Sequence, residues 1–233
     1  MDELRPDFHH DLEALRNDIA RVGASVVELI PRVTDILLQQ DIEGAEYVLR
    51  GDIEIDERAM DIEERALTAL ALQAPVAGDL RQIAAALKLA PEIERSADLC
   101  CNICKAARRI YGHELDPKLR GAIQRMSDQA HQEYKEVIEA YVAGDSVRAA
   151  ALVDMDEFLD RLHTQFIQQI FESHAEGTID VQVAIQLAVV ARFYERLGDH
   201  AVNIAQRVMY IATGWRPVHD AVRRHRETID EGR

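Results

Sequence analysis

The sequence predicts an all-α protein built as two tandem, internally duplicated three-helix bundles. Three observations predict it. Helix formers (Ala, Leu, Glu, Gln, Arg) are abundant, and the 233 residues hold only 11 Gly and 6 Pro. Apolar residues recur at helical spacing, with no alternating β-branched run that would argue for a sheet. The second half of the chain also repeats the first at a nearly fixed offset.

A first helix is expected from near Pro6. Its apolar residues Phe8, Leu12, Leu15, Ile19, Val22, Val26, Leu29, Val33 and Ile36 advance by alternating steps of four and three. That is a seam for lengthwise packing against neighbours. "QQDIEG" interrupts it, and Asp41 is placed to cap a second helix over about residues 43–73. "QAPVAGD" breaks the chain at Pro75 and Gly78. A third helix follows over about residues 79–111, where Pro91 is expected to introduce a kink. Asp116-Pro117 supplies a cap and first turn for a fourth helix at 117–143. Fifth and sixth helices are expected at 145–175 and 180–212, after the breaks "AGDS" and "HAEGTID". The expected units are 1–113, 114–214 and a polar tail at 215–233, whose lost apolar periodicity predicts a frayed or loosely docked end.

The repeat ties the halves together. An offset of 104 takes Leu15 to Leu119, Ile19 to Ile123, Asp41 to Asp145, Asp52 to Asp156 and Asp56 to Asp160. After the second helix the offset becomes 101, and it takes Glu94 to Glu195, Asp98 to Asp199 and Asn102 to Asn203. "ERSADLCCNI" is thus the first copy of "ERLGDHAVNI".

Residues four apart on a helix share a face. Glu94, Asp98 and Asn102 therefore form one oxygen ladder, and Glu195, Asp199 and Asn203 a second. Asp52 and Asp56 form a shorter ladder, matched by Asp156 and Asp160. A lone ladder of this kind reads as a solvated face, salt-bridged to neighbours such as Arg95 or Arg196. Two ladders at equivalent positions with apolar neighbours (Leu99, Ile103, Val202, Ile204) also suit a cation site. Carboxylates gathered out of water must take up protons or hold a cation. An all-oxygen set suits Mg²⁺, Ca²⁺, Mn²⁺ or iron better than a thiolate-loving metal.

Other residue patterns narrow the function. A formal net charge of −15 makes the chain a poor general binder of nucleic acid. No basic segment followed by an apolar stretch opens the chain, so no secretory signal is expected. Cys101 and Cys104 are spaced like ligands, but their repeat partners are Val202 and Ala205, so they read as core residues. No His sits three residues after a Glu, as a ferritin-like di-iron site would need. His200 has Leu99 as its repeat partner and reads as a packing or rim residue. No Walker A, nucleophile-elbow or dinucleotide motif is present, which disfavours an enzyme.

These features resemble the PhoU family of phosphate-specific transport accessory proteins. The resemblance rests on the doubled E-R-x-x-D-x-x-x-N-I signature and on "QAPVAGDLRQIAAALK", and covers about residues 8–212. It implies metal sites at Asp52, Asp56, Glu94 and Asp98 in the first half and at Asp156, Asp160, Glu195 and Asp199 in the second. Asn102 and Asn203 would then be peripheral ligands or supporting groups. The metal would be a divalent or trivalent ion (Fe, Mn, Mg, Zn or Ca), alone or in a cluster. The resemblance also implies a cytoplasmic homodimer that represses phosphate uptake and the phosphate-starvation response. Its implied partners are the ATPase subunit of the phosphate ABC transporter and a phosphate-sensing histidine kinase. A metal-dependent helical-bundle enzyme, a hydrolase or oxidase, or a metal store is the alternative. The first copy departs from the family pattern at Ser96-Ala97 and Cys100-Cys101, which bears on packing more than on ligation.

Overall fold

The apolar seams become six long helices. The computed structural model describes residues 6–214. In order these are α1 (Pro6–Gln39), α2 (Ile42–Gln73), α3 (Ala77–Arg109), α4 (Pro117–Ala143), α5 (Ser146–Ala175) and α6 (Val181–Thr213). The expected tail at 215–233 lies outside the described residues. Helix α3 continues through Pro91, as α1 does through Pro31.

Capping side chains set four of the six starts. Asp41, Asp116, Asp145 and Asp180 are N-caps whose carboxylates accept from the first-turn amides of Gly44, Leu119, Val147 with Arg148, and Val183. The corners after α1 and α4 are copies of one another. Asp41 N donates to Ile36 O at 3.0 Å, and Asp145 N to Ala140 O at 2.9 Å. Both corners need a left-handed residue. Gly144 supplies it in the second copy (φ 65°), whereas Gln40 supplies it in the first (φ 56°). The Gln40 side chain accepts from Gly112 N at 2.8 Å and donates to His113 O at 2.5 Å, which anchors it in that conformation.

The two three-helix units are not separate globules. Within each, α2 packs along α3 and α5 along α6; between them, α1 packs on α4 and α3 on α6. One continuous apolar core results, with Ile30, Leu37, Ile83, Leu89, Ile103, Phe166 and Leu187 fully buried.

The α1–α4 crossing preserves the twofold logic of the repeat. Thr34 Oγ1 lies 2.7 Å from Ser127 Oγ and 2.6 Å from Tyr194 Oη, and also donates to Ile30 O at 2.8 Å. The repeat-equivalent contact puts Ile138 on Gly23, where a Cβ would collide with the Ile138 side chain. A buried hydroxyl cluster on one side of the axis thus corresponds to an apolar contact on the other.

Candidate metal centres

The α2–α3 and α5–α6 packing brings each short acidic ladder opposite a long one. In the first half, Asp56 and Glu94 both have carboxyls raised above their ordinary values. Burial is the leading cause for each. Asp52 and Asp98 then push Asp56 up, and Asp98, Asp56 and Asp52 push Glu94 up, against a lowering by Arg95. The four carboxylates expected to meet therefore share one field. Asp52 Oδ1 is buried there with no hydrogen-bond partner.

The second half repeats this arrangement. Burial, then Asp160 and Asp199, raise Asp156 to about 6. Burial and Asp199 raise Glu195, Arg192 lowers it, and Asp160 raises it further. One Glu195 oxygen contacts Arg192 one turn earlier, while the other, Oε2, is buried without a partner. His163 joins the rim: burial and Arg192 lower its pKa, and Asp160 raises it. Asp160 and Asp199 are solvent-exposed, so this cluster opens to water on one side.

A fifth acid completes the second cluster and was not among the residues expected there. Glu133 on α4 is 1% exposed. Its Oε1 accepts from Gln129 at 2.7 Å, and its Oε2 is buried without a partner. Burial raises its carboxyl to about 7, with Asp156 and Asp160 adding to the rise and the Gln129 hydrogen bond opposing it. A signal for Glu133 exists in the repeat itself. The 104-residue offset carries Leu29, a member of the α1 seam, onto Glu133, so an acid occupies an apolar position.

The two asparagines have hydrogen-bond partners outside the clusters. Asn102 accepts from Lys105 Nζ at 3.0 Å on the surface. Asn203 Nδ2 donates to Glu92 Oε2 at 3.2 Å, and His200 Nδ1 lies 2.6 Å from the same oxygen. This group joins α3 to α6 across the two halves. Burial works to raise the Glu92 carboxyl, but the hydrogen bonds from His200 and Asn203 and the charges of His200 and Arg95 hold it below its usual value. The role expected for His200 as a packing residue is thereby given a partner.

The cysteines are free and buried. Burial pushes all three thiols far up, and the Asp52 charge adds to the rise at Cys100 and Cys101. They are core side chains in a field hostile to thiolate.

The donor set fits a hard cation. Carboxylate oxygens are acceptors only, and a buried one without a donor costs about 1–3 kcal/mol or more if charged. Among the described residues, the buried carboxylate oxygens without a partner are Asp52 Oδ1, Glu133 Oε2 and Glu195 Oε2, and all three belong to the two clusters. As they stand, no three His, Cys, Asp or Glu side chains among the described residues converge closely enough to hold an ion. A cation would have to draw these side chains together.

Comparison with known proteins agrees with the repeat. The PhoU domain matches twice, over residues 19–107 and 123–208, one match per half. This chain belongs to the PhoU family. Within the family it is 33% identical over 220 residues to a phosphate-specific transport system accessory protein PhoU homolog 1 of Mycobacterium leprae, covering 94% of this chain and 98% of that one. It is 28% identical over 210 residues to the PhoU homolog of Rhizobium meliloti, covering 90% and 89%. The same fold is seen in the crystal structure of PhoU from Pseudomonas aeruginosa, with a TM-score of 0.84, 24% identity and coverage of 89% and 100%. PhoU from Streptococcus pneumoniae gives a TM-score of 0.82 at 22% identity, covering 89% and 98%. The all-α, twice-repeated PhoU architecture expected from the sequence is the one observed.

Proposed function

We propose that this chain is a cytoplasmic negative regulator of phosphate uptake and of the phosphate-starvation response. It acts as a metal-braced adaptor between the ATPase subunit of a phosphate ABC transporter and a phosphate-sensing histidine kinase. Family membership supports the phosphate role, because the relatives are accessory proteins of phosphate-specific transport. The observation that carries the bracing role is the coincidence of every unpartnered buried carboxylate oxygen, among the described residues, with the two repeat-equivalent acid clusters. Asp52, Asp56, Glu94 and Asp98 would hold a cation between α2 and α3, and Asp156, Asp160, Glu195 and Asp199 one between α5 and α6. Bound there, a multivalent cation neutralises the like charges and ties each outer helix to its inner neighbour.

The outer face of α2 supports a role that needs a protein partner. Ile53, Met60 and Leu67 lie seven residues apart, on one face, and are 63%, 61% and 55% exposed. Acidic residues Glu57 and Glu64 stand beside them on the same helix, while Glu54 and Asp61 are paired with Arg58 and Arg65. That pattern suits a partner with apolar anchors. Among the described residues no helix is long and apolar enough to cross a membrane. Any membrane proximity would then come through the partners.

The test is capture of partners from phosphate-replete cells by the wild-type chain and by a variant with both acidic ladders changed to Asn and Gln. The proposal expects transporter ATPase and kinase with the wild type and reduced capture with the folded variant. Equal capture by both would remove the bracing role, and capture of neither partner by the wild type would remove the adaptor role. Phosphatase and oxidase assays on metal-loaded protein separate this reading from an enzyme on the same scaffold.

A further inference from the structure

The two acid clusters are not equal, and the difference lies in two coupled positions. Glu133 stands where the first half has Leu29, which lines a cleft with Asp52. Gly198 stands where the first half has Ala97, by the 101-residue offset. These exchanges meet in space. A Cβ at Gly198 would lie 2.9 Å from Glu133 Oε2, 2.7 Å from Asp156 Oδ1 and 2.7 Å from Leu159 Cδ2. The bare Cα of Gly198 therefore makes the space in which the Glu133 and Asp156 oxygens sit together. A mid-helix glycine is costly relative to alanine, so the space has a structural cost.

Glu133 is aimed into the cluster from a third helix. It is 1% exposed, and Oε2 has no hydrogen-bond donor. In the first cluster the carboxylates that raise one another come from α2 and α3, and Glu28 of α1, which lines the cleft beside Asp52, is exposed, whereas the second cluster adds the buried Glu133 of α4 to the acids of α5 and α6. Adding a carboxylate from α4 raises both the negative charge and the number of oxygens available to a cation that draws the cluster together. For hard cations that prefer six or more oxygens, more charged ligands mean higher affinity.

We infer that Glu133, seated on Gly198, is a fifth ligand of the α4–α5–α6 cluster and makes it the tighter of two unequal sites for a hard divalent cation. The inference rests on the metal-binding part of the proposed function and goes beyond it by ranking the sites and naming the residue that ranks them. A cation at the second site would link all three helices of its unit. At the first site it would link only two.

The experiment is calorimetric titration of the chelator-stripped full chain with Mn²⁺ alone. It is run on the wild type, on Glu133→Leu (which restores the first-half residue), on the near-isosteric Glu133→Gln, and on Asp52→Asn/Asp56→Asn. Circular dichroism and urea unfolding confirm that each variant is folded, and Mn²⁺ electron paramagnetic resonance counts bound ions independently. The expected result is two classes of site in the wild type. The tighter weakens at least tenfold in both Glu133 variants and persists when the first-half aspartates are removed. Wild-type affinities in both Glu133 variants would overturn the inference while leaving metal binding intact. Loss of the tighter class on removing Asp52 and Asp56 would also overturn it. Absence of any Mn²⁺ binding by the wild type would overturn the metal-binding reading itself and this inference with it.

Discussion

Replacing Glu133 by Gln should stabilise the metal-free protein at alkaline pH and do little near pH 5. The side chain keeps its size and loses its charge. In the native fold burial, with Asp156 and Asp160 adding to it, lifts the carboxyl from 4.5 to about 7. A group raised in this way binds its proton more tightly folded than unfolded. Its native proton therefore favours folding below the unfolded value and is lost as pH rises towards 7. Above that, ionised Glu133 destabilises the fold by about 1.4 kcal/mol for each unit of pKa difference, or about 3 kcal/mol in all. At pH 5 the same relation leaves less than about 1 kcal/mol. Urea unfolding of chelator-treated wild type and Glu133→Gln at pH 5 and pH 8 measures this directly. The midpoint of the variant should lie well above the wild type at pH 8 and close to it at pH 5. An equal difference at the two pH values would show that Glu133 is not held in a charge-hostile pocket, and the reasoning would fail. Saturating Mn²⁺ should shrink the pH 8 difference, because the ionised carboxylate then has a partner.

Three further outcomes follow from the geometry. Gly198→Ala would gain about 1 kcal/mol in an open helix, but here its Cβ meets Asp156, Glu133 and the buried Leu159; thermal unfolding should show a net loss of about 1–3 kcal/mol. Glu92→Ala strands His200 and Asn203 between α3 and α6 and should cost about 1–3 kcal/mol by urea unfolding at pH 7. The Glu92 carboxyl is held below its usual value, so its contribution is present above the unfolded value near 4.5 and disappears as pH falls below it, and the variant and wild type should converge in acid. Asp145→Ala removes the acceptor for the Val147 and Arg148 amides and should lower stability by about 1 kcal/mol, seen as a fall of a few degrees in Tm.

The six helices were legible because their signals are local. Seams with steps of three and four, aspartate caps and glycine or proline breaks act within one or two turns. Asp116-Pro117 opens α4 as expected, and Asp145 caps α5. The first corner carried a weaker signal, because Gln40 takes the left-handed conformation that Gly144 takes in the second copy. Its support comes from Gly112 and His113, 72 and 73 residues away in sequence.

The acid clusters were legible only in part. Spacing put Glu94 with Asp98 and Glu195 with Asp199, and the repeat made their opposition to Asp52/Asp56 and Asp156/Asp160 a reasonable expectation. Asn102 and Asn203 continue the same spacing, yet one faces Lys105 and the other Glu92. A helical period states which residues share a face, but the packed neighbour decides what that face meets. Glu133 shows the same limit. Its position in the α4 seam is plain in the sequence, and its chemistry depends on a missing Cβ at Gly198, 65 residues later.

Periodicity, caps and duplication were thus enough to predict six helices in two repeated sets of three, and the doubled E-R-x-x-D-x-x-x-N-I signature carried the resemblance to the family. The docking of the units through α1–α4 and α3–α6, the Glu92–His200–Asn203 link, and the inequality of the two clusters came only with the folded structure. The physical reason is range. Backbone hydrogen bonds and capping are satisfied a few residues apart, whereas burial, charge repulsion and an unfilled acceptor depend on side chains that tertiary packing alone brings together.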